Sequence, residues 1–322
     1  MQDDVAGLAR RLASLSVVPS TTPDSPQRGQ GASTMSTSGS RMPAVFIGHG
    51  SPMNTLEINE FTETWRSLGR LLPRPRAVLA ISAHWFIQGT AVTAMPRPKV
   101  IHDFYGFPKE LFAFDYPAPG SPDVAHEVAE LLKPTYIGMD MDSWGLDHGT
   151  WSVLAHVFPG ADIPVVQLSI HAAAPLAYHM DLGARLAPLR DRGVLILGSG
   201  NVVHNLRLVD WARGSRGFDW ADRFDARVRA LMTTAPGDLP EVESSPDYAL
   251  AVPTPEHFLP LAYLAGLCRA SGEPAVPFAE ARALGSLSMT SYVVGMQAPA
   301  QLGDVADSQT LPERVPPEQT NI

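Results

Sequence analysis

The sequence predicts one layered α/β domain, a central mixed sheet flanked by helices, and three observations carry that reading. Between residues 42 and 297, short apolar runs alternate with helical patterns, as a layered α/β domain requires. Hydrophobic residues make up 45% of the 322-residue chain, ample for a large core, and α/β folds run to roughly 200–250 residues or more as one unit. No internal repeat and no low-complexity linker interrupts the stretch, so it is read as a single domain.

The elements follow in order. Apolar runs predict strands at Ala44–Ile47, Ala77–Ser82, Ala91–Ala94, Ile163–Ile170, Val194–Leu197 and Ser286–Val294. Ile58, Phe61, Trp65, Leu68 and Leu72 recur at helical spacing and predict a first helix with all five on its buried face. Ser121 as N-cap, Pro122 at the first helical position and Asp123 in the first turn announce a second. Thr254 followed by Pro255 opens another, running through Leu259, Tyr263 and Leu267. Further helices are expected over Thr150–Phe158, Pro175–Arg192 and Ala221–Met232. Residues 1–41, rich in Ser, Thr, Gly, Gln and Pro, are expected to be a disordered extension, and residues 298–322 a disordered tail.

Composition narrows the function. A net charge of −9 with no basic stripe argues against a nucleic-acid partner. No apolar run reaches the roughly 18 residues of a membrane span, and no secretory signal opens the chain, so a soluble cytoplasmic protein is expected. The single Cys268 leaves no disulfide framework and no multi-cysteine metal site, and fits a reducing compartment. There is no Gly-x-Ser-x-Gly elbow, no His-Glu-x-x-His and no Walker sequence; Gly48-His49-Gly50 opens like a dinucleotide loop, but Met53 stands where the third glycine belongs.

The histidines carry the functional signal. Ligands of open α/β sheets bind beyond the carboxyl ends of the strands. His49 follows the strand Ala44–Ile47, His84 follows Ala77–Ser82, and His204 follows Val194–Leu197, so three strand ends each deliver an imidazole to one face. His148, in Asp147-His148-Gly149-Thr150-Trp151, sits on a glycine-flanked turn before a helix, and His257, in Thr254-Pro255-Glu256-His257, in the first turn of the helix capped by Thr254. Neutral imidazole suits zinc, iron and copper, and a metal centre accounts for the convergence. His126, His156 and His179 lie in helical patterns and read as structural; His102 and His171 stay open as pocket-lining candidates.

Gly48-His49-Gly50-Ser51-Pro52, Ser82-Ala83-His84-Trp85, Tyr116-Pro117-Ala118-Pro119-Gly120-Ser121-Pro122, Asp147-His148-Gly149-Thr150-Trp151, Gly200-Asn201-Val202-Val203-His204-Asn205-Leu206 and Thr254-Pro255-Glu256-His257, in that order, resemble the 4,5-DOPA extradiol dioxygenase family, a branch of the class III ring-cleaving dioxygenases. The resemblance runs from about Met42 to Gly295. It implies one divalent metal ion per chain, Zn²⁺ or Fe²⁺, with Fe²⁺ needed for dioxygenase chemistry. It also implies His49, His84, His204 and His257 at the metal and His148 as the acid–base residue, with His204 the second candidate for that role should it not ligate. A catechol such as L-DOPA and O₂ would be the substrates, and Trp85, Phe104, Tyr105 and Phe107 the aromatic walls. Extradiol sites usually hold iron with two histidines and a carboxylate. Here His257 stands as third ligand with Glu256 beside it, and an all-histidine set leaves a zinc-dependent hydrolase as the alternative.

Overall fold

The computed structural model describes residues 41–300, 312 and 315–321, so the expectation for residues 1–41 falls, Arg41 apart, outside the described residues. Strands are β1 (Ala44–Gly48), β2 (Ala77–Ile87), β3 (Ala91–Thr93), β4 (Lys99–Val100), β5 (Gly138–Asp140), β6 (Gly145–Leu146), β7 (Val165–His171), β8 (Val194–Gly200), β9 (Val276–Phe278), β10 (Arg282–Ala283), β11 (Leu287–Ser288) and β12 (Ser291–Val294). Helices are α1 (Glu60–Leu71), α2 (Lys109–Phe112), α3 (Pro122–Leu131), α4 (His148–Val157), α5 (Leu176–Leu186), α6 (Pro188–Asp191), α7 (Asp219–Thr234), α8 (Tyr248–Ala251) and α9 (Leu259–Ser271).

The sheet is mixed, as the sequence predicts, and its eight strands run in the order β5-β3-β7-β2-β8-β1-β12-β9. At its centre β7, β2, β8 and β1 run parallel, while β12 joins β1 antiparallel. Period-two alternation splits each central strand between two cores. Ala77, Leu79 and Ile81 of β2, Val194 and Ile196 of β8 and Phe46 of β1 pack with the apolar residues of α5, α7 and α9. Val78 and Ala80, Leu195 and Leu197, and Val45 and Ile47 pack on the other face with those of α1 and α4.

Several boundaries differ from expectation, each for a backbone reason. Pro188, which lacks an N–H and whose ring crowds the preceding turn, splits the helix expected over Pro175–Arg192 into α5 and α6. The helix expected from Thr254 starts at Leu259, where Pro260 falls in the first turn and its missing N–H costs nothing. Ser286–Val294 divides into β11, paired with β10, and β12 in the main sheet. Ile58, expected on the buried face of α1, is 79% exposed because α1 begins only at Glu60, capped by Asn59.

The described end of the tail is folded. Pro317–Gln319 form a 3₁₀ turn, Thr320 is buried, and its carbonyl accepts from the Tyr105 N–H at 3.1 Å. Prolines that forbid a long helix suit this short turn, Pro317 occupying its first position. Among the described residues no helix is long and apolar enough to cross a membrane.

Candidate metal centre

The carboxyl ends of β1, β2 and β8, adjacent in the sheet, converge on one site. His49 directly follows β1, and its N–H donates to the carbonyl of Gly200 at the end of β8. His84 lies within β2, where the register against β7 breaks between Ile81 and Phe86. His148 is the first residue of α4, capped by Asp147. His257 occupies the turn before α9, and its carbonyl accepts from the Asn201 N–H at 2.9 Å. Two glycines permit the approach: a Cβ at Gly200 would meet the His257 carbonyl oxygen at 2.1 Å, and one at Gly149 would meet the His84 ring at 2.8 Å.

The rings form a cluster with a common polarity. Centroids of His49, His84 and His257 make a nearly equilateral triangle, 5.2 Å for His49–His84, 5.5 Å for His49–His257 and 5.2 Å for His84–His257. His148 stands off this triangle, 3.9 Å from His84 and 6.1 Å from His49. His204 lies face to face on His257, centroids 3.6 Å apart and planes 6° from parallel. One ligand nitrogen from each of His49, His84 and His148 comes within 4.8 Å of the others, and His204, Glu256 and His257 make a second such group.

Each ring of the main cluster has an oxygen at Nδ1. Ser199 Oγ gives its only proton to the Gly149 carbonyl at 2.5 Å, so it accepts from His49 Nδ1 at 3.0 Å. Asp103 Oδ1 lies 2.9 Å from His148 Nδ1 and also accepts the His148 backbone N–H. Asp103 Oδ2 lies 3.4 Å from His84 Nδ1, within ion-pair reach but without hydrogen-bond alignment. Glu256 Oε1 lies 3.3 Å from His257 Nδ1. Carboxylates only accept, so the hydrogen-bonded contacts place the proton on Nδ1 of His49, His148 and His257 and leave their Nε2 as the lone pair. His49 Nε2 and His84 Nε2 face each other at 3.4 Å, and among the described residues the buried Nε2 atoms of His148 and His257 have no hydrogen-bond partner. Lone pairs gathered in a dry cluster are what a cation satisfies, and 3.4 Å is the edge expected for two nitrogens each about 2.1 Å from a tetrahedral ion.

Electrostatics agree. Burial, reinforced by the neighbouring imidazoles, holds His49 and His84 well below the ordinary histidine value, so both are neutral and able to ligate. Burial works to raise the Asp103 carboxyl, but its close pairing with His148 outweighs burial and holds it below the ordinary aspartate value. Glu256, against the same cost of burial, is held at about 2 by His257 and Thr254.

Beside the cluster opens a cavity of about 520 Å³, lined by His84, His204 and His257 together with Phe86, Arg207 and Glu256. Of the aromatics expected as walls, Phe104 packs edge-on against His148, Phe107 against Phe104, and Trp85 against Trp144, while Tyr105 is 64% exposed; none of the four lines the cavity. His102 Nε2 instead donates to the Phe114 carbonyl, and His171 packs on Tyr178. Sequence reasoning missed Asp103, Ser199, Phe86 and Arg207.

Comparison with known proteins now decides the family. Residues 43–294 match the family described as the catalytic LigB subunit of aromatic ring-opening dioxygenase. The chain belongs to this family. It is 48% identical to the 4,5-DOPA dioxygenase extradiol of Escherichia coli K12 over 262 residues, 80% of this chain and 96% of that protein. It is 38% identical to the 4,5-DOPA dioxygenase extradiol of Beta vulgaris over 226 residues, 67% of this chain and 83% of the relative. The solved structure of an uncharacterised Escherichia coli K12 protein superposes with a TM-score of 0.69 at 44% identity, covering 79% of this chain and all of that one. This LigB-family chain is thus a metal-dependent extradiol dioxygenase.

Proposed function

We propose that this chain opens the ring of a catechol such as L-DOPA beside its two hydroxyls, using O₂ and a divalent ion held by His49, His84 and His257. The observation that carries the reading is the near-equilateral triangle of those three rings, with an oxygen within 3.4 Å of every Nδ1. His204 is left out of the ligand set on geometry. Its ring is parallel to His257, so an ion in the plane of one would stand roughly 3.5 Å from the plane of the other, well beyond a metal–nitrogen bond of about 2.1 Å. When bound, Fe²⁺ supplies the redox centre at which catechol and O₂ meet, whereas Zn²⁺ in the same place is redox-silent.

The chain's own groups handle protons and position. His148 Nε2, buried and unpartnered, can take a catechol hydroxyl proton, and Asp103, ionised against Nδ1, stabilises the imidazolium that results. His204, half-buried at the cavity wall, can hold or return a proton on the ring-fragment side. The cavity is of the size that ordinarily takes small ligands and suffices for a catechol amino acid. We also read the protein as cytoplasmic, since its single cysteine is buried and suits a reducing compartment.

Metal analysis combined with turnover tests the assignment. In protein reconstituted with Fe²⁺, L-DOPA should drive O₂ uptake and a coloured semialdehyde product. His49→Ala, His84→Ala and His257→Ala should lose most of the metal. His148→Gln and His204→Gln should keep it, the former losing about 10²-fold or more in turnover. Full occupancy in His257→Ala, or metal loss in His148→Gln, would exchange their roles; no O₂ uptake by the wild type would sink the ring-opening reading.

A further inference from the structure

The described end of the chain lies on the substrate cavity, outside the span matched by the family, which ends at residue 294. Glu318 and Asn321 line the cavity with His84, His204 and His257. The segment is fastened on two sides. On one, Thr320 is fully buried and bonded to Tyr105, Asn321 Nδ2 donates to the Asp103 carbonyl, and Val315 packs so closely over Gly106 that a Cβ there would meet it at 2.4 Å. On the other, the Pro317–Gln319 turn packs against the 3₁₀ turn Leu206–Leu208, which carries Arg207. The tail therefore bridges the Asp103–Gly106 loop and the turn after His204.

This bridge brings two opposite charges to one wall. Arg207 and Glu318 both line the cavity, and among the described residues neither side chain has an ion-pair partner. The third charged group there, Glu256, is occupied by His257 and Thr254. A catechol whose hydroxyls reach the histidines must point its ring substituent away from them, toward this wall.

We infer that Glu318 and Arg207 select catechols whose substituent is an α-amino acid, Glu318 facing the ammonium and Arg207 the carboxylate. The inference rests on the ring-opening reading above and deepens it by assigning the substrate's side chain. Solvent-exposed pairs of this kind give modest discrimination, up to about fivefold each at low salt, and screening weakens them.

The test is anaerobic calorimetry on the full-length, metal-loaded protein with four probes: L-DOPA, dopamine, 3-(3,4-dihydroxyphenyl)propionate and 4-methylcatechol. The wild type should bind L-DOPA tightest. Glu318→Gln should collapse the preference for L-DOPA over the propionate, which lacks the ammonium, while keeping its preference over dopamine. Arg207→Gln should collapse the preference over dopamine, which lacks the carboxylate, while keeping that over the propionate. Both preferences should shrink in high salt. Equal binding of all four by the wild type, or a uniform loss across probes in either variant, would overturn the selection and leave ring opening intact. Failure of every probe to bind would overturn the ring-opening reading and the selection with it.

Discussion

Asp103 shows how much one carboxylate decides in a cluster of imidazoles. Its Oδ1 lies at hydrogen-bond distance, 2.9 Å, from His148 Nδ1 and its Oδ2 3.4 Å from His84 Nδ1, so a single group faces a proposed ligand and the proposed acid–base residue together. In Asp103→Asn one oxygen becomes an amide NH₂, which cannot accept a ring proton, and one of the two rings must change tautomer or turn. Metal affinity should fall by about 10–100-fold, measured by competition with a chromophoric chelator, with the fold retained. Affinity equal to that of the wild type would show that Asp103 does not orient a ligand. The histidines were legible in the sequence because each of three follows an apolar run, a local signal. Asp103 was not, because its meeting with His148 spans 45 residues and depends on where the loop after β4 comes to rest. Ser199 lies just past the predicted strand Val194–Leu197, between two glycines, and nothing local tells whether its hydroxyl faces His49.

Among elements, α5 and α9 show what a glycine does between helices. A Cβ at Gly183 would meet the Tyr263 carbonyl oxygen at 2.2 Å, and one at Gly266 would meet the Met180 carbonyl oxygen at 2.0 Å, so each glycine lets the opposite backbone approach. Both helices pack on the sheet face formed by β2, β8 and β1, and α9 follows directly on the turn that bears His257. Gly266→Ala raises helix propensity but forces backbone apart; overpacking should win and cost about 1–3 kcal/mol, lowering Tm by several degrees in a domain of this size. A Tm equal to or above that of the wild type in thermal denaturation would mean that the helices can separate without loss. Long, strongly periodic elements such as α1, and α3 with its Ser121-Pro122 start, were readable. The strands β5 and β9, three residues each, were not, since so short a run carries no period and owes its pairing to the sheet already present.

Across the whole molecule, the sheet delivers three histidines to one edge only by leaving other titratable groups in a dry interior, and acid stability reports on them. His179, on α5 away from the metal cluster, is fully buried with Nδ1 3.2 Å from the Tyr263 hydroxyl. Burial lowers it from the ordinary 6.5 to about 4. The sign follows from linkage. Below pH 6.5 the unfolded chain takes up a proton at this position that the folded protein refuses until about pH 4. The folded state is therefore penalised progressively as pH falls through that window, and the full loss from this one residue is roughly 3 kcal/mol. His179→Gln keeps a polar side chain of similar size but cannot titrate. Urea unfolding of metal-free protein from pH 7 to 4 should show the wild type losing stability more steeply than His179→Gln, the two curves converging or crossing toward acid while differing most in slope between pH 6.5 and 4. Curves that stay parallel over that interval would show that His179 is not a source of the acid sensitivity.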